Sequence, residues 1–130
     1  EEIQEKLATG KENILLLTEP LCELSVRERI FRDCIDLHGQ IDGAESVILI
    51  KPHPRDLLDY ETLFSEHIVL DRKFPMEVLN YIDGLVFRRV ISVFTVVRNI
   101  RFAEEIVYLG EDFMDRYEDP RLHRQNDDIY

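Results

Sequence analysis

Several features that would assign a function directly are missing from the sequence. Cys22 and Cys34 are its only cysteines, and their spacing matches neither paired zinc ligands nor a CxxC redox motif. No apolar run approaches the roughly 20 residues that a membrane-spanning helix needs, and no signal-peptide pattern is present. We therefore expect two buried, reduced thiols in a cytoplasmic protein.

Nucleotide-binding fingerprints and metal-ligand clusters are also missing. The sequence contains neither the GxGxxG pattern of dinucleotide-binding folds nor the GxxxxGK[ST] phosphate loop. No group of His, Asp and Glu residues has the spacing of metal ligands. We therefore predict no metal and no cofactor, so a bound phosphate has to be held by helix N-termini, hydroxyl groups or a histidine.

Positive charge is scarce. The chain has 16 Lys and Arg residues against 27 Asp and Glu residues, which gives a net charge of −11 at pH 7. A nucleic-acid-binding protein needs a basic face that neutralises phosphates. The charge balance therefore argues against nucleic acid as the main partner.

The sequence does contain short apolar runs separated by helical stretches. Its 130 residues are 45% hydrophobic and 33% charged, which is typical of one folded domain. Predicted strands cover residues 13–18, 47–50, 67–71 and 106–109, and a further strand covers either 85–93 or only the residues from 90 onward. Predicted helices lie at 56–64, 75–84, 94–103 and from 111 onward, and one begins at Ser25. This alternation predicts an α/β fold built from right-handed βαβ units around a parallel sheet.

The two ends of the chain differ from its middle. Residues 1–12 are polar, and we interpret them as a linker or the end of a preceding element of a longer protein. Residues 13–117 form the predicted domain. Residues 118–130 are charged and turn-like, and we expect a tail whose order depends on a partner.

The helix that begins at Ser25 has a predicted start and a predicted packing face. Ser25 is the expected N-cap, and Glu28 completes a capping box. Arg27 and other charged residues are expected to point away from the packing face. The residues predicted to form that face are Val26, Ile30, Cys34 and Leu37, and Gly39 or Gly43 is expected to end the helix.

His53 lies in a turn that two prolines make stiff. The apolar run Val47–Ile50 is followed by Lys51-Pro52-His53-Pro54-Arg55, and a proline cannot continue a central strand. The imidazole is therefore presented at a sheet edge between Lys51 and Arg55. This locally cationic turn in an acidic chain indicates an anionic ligand, and a surface turn that happens to contain a histidine is the alternative.

Other polar residues follow the remaining strands. Thr18-Glu19, Asp71 and the segment Ser92–Thr95 lie at or beyond predicted strand ends. Because the carboxyl ends of parallel strands share one edge, we expect these residues and the His53 turn to converge on one crevice. The hydroxyls of Ser92 and Thr95, together with free backbone N–H groups at the start of a helix, suit a phosphate. Helix capping alone also explains them.

Glu77 has two interpretations. It lies in the first turn of the helix that Pro75 opens, where a carboxylate complements the helix dipole. Alternatively, Glu77 accepts hydrogen bonds from a ribose diol, as acidic residues do in nucleotide sites.

Three motifs in this order resemble a known family. They are Lys51-Pro52-His53-Pro54 after a strand, Phe74-Pro75-Met76-Glu77-Val78-Leu79, and Val90-Ile91-Ser92-Val93-Phe94-Thr95. The set resembles the nucleotide-binding half of bacterial sialyltransferases, most closely the lipooligosaccharide sialyltransferases of glycosyltransferase family 52. Residues 14–21 also resemble the opening of the carboxyl-terminal domain in that family, so the resemblance spans residues 13–117.

The resemblance implies a Rossmann-like, three-layer domain that is one half of a two-domain GT-B-type enzyme and holds CMP-sialic acid. His53, in the position of the family's His-Pro motif, then donates to the phosphate of the departing CMP and carries the catalysis, and in its protonated form it can act as general acid. Glu77 binds the ribose or cytidine side, and Ser92 matches the first serine of a Ser-Ser/Thr motif. Val93 departs from that motif, and Thr95 is the expected substitute. Further expected donor-binding residues are Lys51, Pro54 and Thr18.

The resemblance also defines what the chain lacks. The catalytic base of the family lies in an Asp/Glu-Asp/Glu-Gly motif of an amino-terminal domain that also contributes to the acceptor glycan site. Glu111-Asp112 is followed by Phe113, so it does not replace that motif. We expect the isolated chain to bind the nucleotide without transferring sugar. A homo-oligomer and a peripheral location at the inner face of the bacterial membrane, through the full-length protein, stay open.

Two other classes compete with this interpretation. His-Pro motifs also occur in polysialyltransferases and in enzymes that transfer polyol phosphates from CDP-linked donors. A non-enzymatic α/β signalling module, such as a phosphoacceptor receiver domain, needs an acidic cluster after its first strand and an Asp after its third. Here Glu19 alone follows the first strand, and a histidine follows the central one.

Overall fold

The apolar runs of the sequence form the strands of one parallel sheet. The computed structural model describes residues 12–75, 78–79, 86–95 and 103–121. Within them the elements are β1 (Asn13–Leu17), α1 (Leu24–His38), β2 (Gln40–Ile41), β3 (Ala44–Glu45), β4 (Val47–Lys51), α2 (Tyr60–Leu63), β5 (Ile68–Val69), β6 (Arg89–Ser92), β7 (Ile106–Tyr108) and α3 (Gly110–Met114).

Five of the strands pair in the order β5-β4-β1-β6-β7, and every pairing is parallel. In the centre of the sheet Leu15 lies opposite Leu49 of β4 on one side and Val90 of β6 on the other. The predicted α/β fold with a parallel sheet is therefore confirmed. Since all five strands run the same way, their carboxyl ends lie along one edge of the sheet.

Side chains of β1 alternate between two hydrophobic cores. Ile14 and Leu16 belong to one core, which also contains Ile30 and Phe31 of α1. Leu15 and Leu17 belong to a second core on the opposite face of the sheet. Burial on both faces explains why β1 is continuously apolar rather than alternating.

Helix α1 differs from its prediction in its start and in its face. It begins at Leu24 after Glu23, no side chain caps it, and Glu28 pairs with Arg32 instead of forming a capping box. The buried residues of α1 are Arg27, Ile30, Phe31 and Cys34, whereas Leu37 is 54% exposed. The expectation that Arg27 points away from the core is wrong, because the buried stripe passes through it.

A short hairpin between α1 and β4 was not predicted. Strands β2 and β3 are antiparallel and are joined by Asp42 and Gly43, which have φ values of 52° and 79°. Two successive residues with positive φ are typical of the type I′ turn that Asp-Gly favours. The hairpin returns the chain to the amino-terminal edge of the sheet, from which β4 starts.

Several predicted elements are shorter in the structure. The helix predicted over 56–64 is a single turn at Tyr60–Leu63, and the strand predicted over 67–71 is Ile68–Val69. Of the two strands that the sequence allowed here, 85–93 or one from 90 onward, β6 at Arg89–Ser92 is close to the second. The helix predicted over 75–84, the linker at 1–12 and the tail at 118–130 fall largely outside the described residues. None of the helices in the described ranges is long and apolar enough to cross a membrane.

Candidate functional site

A cleft of about 360 Å³ opens at the carboxyl ends of β1 and β4. It contains five of the residues that the sequence predicted as a site, namely Thr18, Lys51, His53, Pro54 and Thr95. The other lining residues are Leu17, Pro52, Lys73, Phe74 and Pro75. The predicted convergence of strand ends is therefore present for these five residues, while their contacts with a ligand stay predictions.

The cleft is cationic although the chain is acidic. Lys51, His53 and Lys73 line it, and no carboxylate does so among the described residues. The side chain of Lys73 is exposed and makes no hydrogen bond or ion pair within the described ranges. Sequence reasoning missed Lys73, whose signal was its position immediately before the Phe74-Pro75 motif.

Lys51 is buried, and its ammonium group is already engaged. The Nζ atom donates to the carbonyl of Pro52 and, at 3.1 Å, to the carbonyl of Arg72. It therefore ties the end of β4 to the loop that follows β5. Lys51 adds positive charge to the cleft, while Lys73 is the more exposed cation.

Three hydrogen bonds fix the orientation of His53. Its backbone N–H donates to Thr18 Oγ1 at 3.2 Å, and its carbonyl accepts from the Asp56 N–H at 2.9 Å. Its ring Nδ1 accepts from the backbone N–H of Arg55 at 3.0 Å. A neutral imidazole whose Nδ1 is an acceptor carries its proton on Nε2. His53 can therefore offer an Nε2–H donor to an anion without rearranging its turn.

The general-acid role expected for a doubly protonated His53 would require a change in one of these hydrogen bonds. Both ring nitrogens of an imidazolium are donors. The contact between Nδ1 and the Arg55 N–H would have to break before the ring could be doubly protonated. The general-acid role of His53 stays a prediction.

A buried carboxylate lies directly beneath the His53 turn. The Asp56 side chain is fully buried, and its two oxygens accept four hydrogen bonds. The donors are Thr18 Oγ1 at 2.7 Å, Arg27 Nη1 at 2.9 Å, Tyr60 OH at 2.5 Å and the Leu58 N–H at 3.2 Å. Burial and the hydrogen bond to Asp56 raise the pKa of Tyr60, so its phenol stays a donor.

Arg27 connects this carboxylate to helix α1. Besides Asp56, its guanidinium donates to the carbonyls of Leu21 and Cys22, both at 2.8 Å. Sequence reasoning missed both Arg27 and Asp56. The available signal was that Arg27 falls on an i, i+3, i+4, i+7 stripe with Ile30, Phe31 and Cys34, and a charge on such a stripe needs a buried partner.

Glu19 occupies the backbone site that we expected to be free for phosphate. Its Oε2 accepts from the N–H of Phe94 at 2.8 Å and from the N–H of Thr95 at 3.2 Å. Glu19 is only 9% exposed. Its carboxylate, which belongs to the loop after β1, is packed against the loop that follows β6. The expectation that these two N–H groups are free is wrong for this structure. The two N–H groups nevertheless bind an anion, namely the Glu19 carboxylate of the same chain.

Ser92 does not line the cleft, and Glu77 lies outside the described residues. Ser92 is fully buried, does not line the cleft, and donates from its hydroxyl to the Thr95 carbonyl at 2.5 Å. A contact between Ser92 and a ligand therefore requires the loop after β6 to move, and it stays a prediction. Glu77 lies outside the described residues, so its predicted role also stays a prediction.

The two thiols have no partner in a disulfide or a metal site. Cys22 and Cys34 are free, and no metal-binding group of His, Cys, Asp and Glu occurs within the described ranges. Burial raises the pKa of Cys34 to about 12 and also raises the pKa of Cys22. Thiolates are therefore disfavoured at both positions, and neither residue has the properties of a catalytic nucleophile.

Comparison with known proteins identifies one similar sequence without a described function. An uncharacterized protein from Haemophilus influenzae is 33% identical over an alignment of 104 positions, which covers 76% of this chain and 32% of that protein. The chain thus spans about a third of the length of this relative. No model of a protein family matches the chain, and no solved structure is significantly similar to it.

Proposed function

We propose that the chain is the nucleotide-binding half of a metal-independent, inverting glycosyltransferase that takes sialic acid from CMP-sialic acid. The observation that carries the proposal is the cationic cleft, in which His53 directs an Nε2–H donor from a fixed turn. An anion fits this cleft because the described lining residues include two lysines and no carboxylate. The resemblance of its motifs to glycosyltransferase family 52 supplies the identity of the anion.

The order of the strands supports a Rossmann-like domain. Counted within the five-stranded sheet alone, the order is 3-2-1-4-5, which is the order at the core of dinucleotide-binding folds. Ligands of such sheets bind beyond the strand ends where the order reverses. Here the reversal lies between β1 and β6, and Thr18 and Thr95 of the cleft follow these two strands.

The same order counts against a receiver module. Receiver domains belong to the flavodoxin-like folds, whose strands are ordered 2-1-3-4-5. In this chain the first strand pairs with the second and the fourth rather than with the second and the third. The residues that follow β1 and β4 also differ from a phosphoacceptor site, because Glu19 is engaged with backbone N–H groups.

The proposed chemistry depends on charge that develops on the leaving group. As the bond between sialic acid and CMP breaks, both of its electrons go to the phosphate oxygen. The acceptor hydroxyl forms the new bond to the same carbon and gives its proton to a base. In this proposal His53 Nε2–H and the Lys73 ammonium stabilise the negative phosphate more in the transition state than in the ground state.

The base and the acceptor site belong to a second domain in this proposal, as in a GT-B-type enzyme. Support comes from the relative, since residues similar to this chain make up only 32% of its length. We propose that the isolated chain binds the donor nucleotide and does not transfer sugar. The proposed location is the cytoplasm, with association at the membrane only through the full-length protein.

A ligand panel tests the donor. Thermal unfolding is compared with CMP, CMP-sialic acid, CDP-glycerol and a UDP-sugar at equal concentrations. A ligand at about 100 times its Kd stabilises the folded state by about 2.7 kcal/mol, so CMP and CMP-sialic acid should raise the Tm clearly and the UDP-sugar should not. A shift with CDP-glycerol alone would assign the chain to polyol-phosphate transfer, and no shift with any cytidine nucleotide would refute the proposal.

Lys73 offers a sharper test with a matched control. Lys73→Ala removes a cation from the cleft, whereas Arg72→Ala removes the same charge from the neighbouring residue, which does not line the cleft. The Arg72 carbonyl that holds Lys51 is retained in that control. We expect CMP affinity to fall on the order of tenfold in Lys73→Ala only. Equal losses in both variants would mean that the effect is overall charge rather than a contact in the cleft.

A further inference from the structure

We propose that Asp56 and Arg27 are positioning residues that act through Thr18 to hold the His53 imidazole toward the cleft. The proposal rests on the proposed function only in taking His53 as the group that contacts the ligand. Neither Asp56 nor Arg27 lines the cleft, and the hydrogen bonds of Asp56 connect it to the turn that does. The pair joins helix α1 to the loop after β4, across 29 positions of sequence.

A continuous chain of hydrogen bonds leads from the guanidinium to the histidine. Arg27 Nη1 donates to Asp56 Oδ1 at 2.9 Å, and Thr18 Oγ1 donates to Asp56 Oδ2 at 2.7 Å. Since the Thr18 hydroxyl hydrogen points to the carboxylate in this bond, the oxygen has its lone pairs left to accept from the His53 N–H, which lies 3.2 Å away. The carboxylate thereby fixes the direction in which Thr18 accepts.

Asp56 also holds the other side of the same residue. Its backbone N–H donates to the His53 carbonyl at 2.9 Å. The two backbone polar groups of His53 are thus bonded to Asp56 directly or through one hydroxyl. Rotation of the turn would break both bonds, and the ring contact between Nδ1 and the Arg55 N–H lies within the same turn.

Stability alone does not account for this arrangement. A buried ion pair is often no more stable than well-packed apolar residues of the same volume, because both charges lose their hydration. What the pair provides is a directional set of donors and acceptors with few alternative geometries. Such directionality is what a ligand-binding side chain requires from the residues beneath it.

Tyr60 provides a matched control. Its hydroxyl donates to the same oxygen of Asp56 as Thr18 does, at 2.5 Å, and no hydrogen bond joins Tyr60 to His53 among the described residues. Tyr60→Phe therefore weakens the carboxylate site and leaves the link to the turn in place. Asp56→Asn and Thr18→Val interrupt the link, and Thr18→Ser preserves the hydroxyl.

The test compares these four variants with the wild-type chain by NMR without ligand and by calorimetric titration with CMP. We expect Asp56→Asn and Thr18→Val to shift the resonance of the His53 amide proton and to accelerate the exchange of that proton with solvent. The resonances of the two ring nitrogens of His53 should move closer together, because the Nε2–H tautomer loses its preference. CMP affinity should fall on the order of tenfold in both, the size expected when one hydrogen bond to a charged group is lost. Tyr60→Phe should lower the Tm without either change, and Thr18→Ser, which keeps the hydroxyl, should keep the His53 amide resonance at its wild-type position.

The outcomes separate this proposal from the proposed function. Unchanged His53 resonances in Asp56→Asn and Thr18→Val, accompanied by a lower Tm, would overturn the positioning role and leave a purely structural network. Should Asp56→Asn not fold, Thr18→Val alone decides. If the wild-type chain binds no CMP but the His53 resonances change as expected, the positioning role stands and the proposed function fails.

Discussion

Replacing Arg27 by methionine should destabilise the fold far more than removing any ion pair at its surface. The Asp56 side chain is fully buried and that of Arg27 is 9% exposed, so Arg27→Met leaves an uncompensated charge without access to water. Breaking a buried pair from one side costs about 3–5 kcal/mol. The variant also leaves the Leu21 and Cys22 carbonyls without the guanidinium that donates to them.

The control for this prediction is a partly exposed ion pair whose N···O distance is shorter than that of Arg27 and Asp56. Arg89 Nε and Glu105 Oε1 are 2.7 Å apart, against 2.9 Å for Arg27 and Asp56. The Glu105 side chain is 48% exposed, and pairs of this kind contribute only about 0.2–1 kcal/mol because water and salt screen them. Glu105→Gln should therefore cost less than about 1 kcal/mol, so burial rather than distance decides the contribution of each pair.

Urea unfolding of the wild type, Arg27→Met, Asp56→Asn and the double variant measures the coupling. Each single substitution leaves the other residue buried without its partner. The double variant should therefore be more stable, by about 1–3 kcal/mol, than the sum of the two single losses of unfolding free energy predicts. The unfolding free energies are compared at constant m-value. A loss below about 1 kcal/mol in Arg27→Met, or coupling below about 0.5 kcal/mol, would refute the reasoning that a charge is buried here.

Three further predictions concern other parts of the chain. Glu19→Ala removes the carboxylate that accepts from the N–H groups of Phe94 and Thr95, so it should increase the affinity for inorganic phosphate in a calorimetric titration, and unchanged affinity would show that a ligand does not reach them. Burial lowers the pKa of His38 and of His67, so the unfolded state binds more protons and the unfolding free energy should fall as pH decreases through 6.5. Replacing both histidines by glutamine should flatten this pH dependence in urea titrations, and an unaltered slope would contradict it. Gly43→Ala should cost roughly 1–2 kcal/mol because φ is +79°, whereas Gly43→Asn should cost less, and equal losses would mean that the turn changes its conformation.

The parts of the fold that could be predicted are those that a local pattern determines. Residues 14–17 and 48–50 are continuously apolar because both faces of the parallel sheet are covered, and such runs between polar segments indicate buried strands. The convergence of Thr18, Lys51 and His53 followed from the direction of the strands. These inferences needed no knowledge of which side chains touch.

The parts that could not be predicted depend on contacts between distant residues. The partner of Arg27 lies 29 positions away, and the partners of Glu19 lie 75 and 76 positions away. Ser25 has the right chemistry for an N-cap, yet packing of the stripe through Arg27 starts the helix at Leu24. Local propensity yields to tertiary packing at these positions.

The charge of the cleft opposes the charge of the molecule that contains it. A nucleotide approaching from a distance meets a body with a net charge of −11, whereas within a few ångströms it meets Lys51, His53 and Lys73. Ions at about 0.15 M screen fields beyond roughly 8 Å, which removes the long-range repulsion and keeps much of the short-range attraction. Association of an anionic nucleotide should therefore become faster as salt is added from very low concentration, the reverse of the usual behaviour of a phosphate-binding protein.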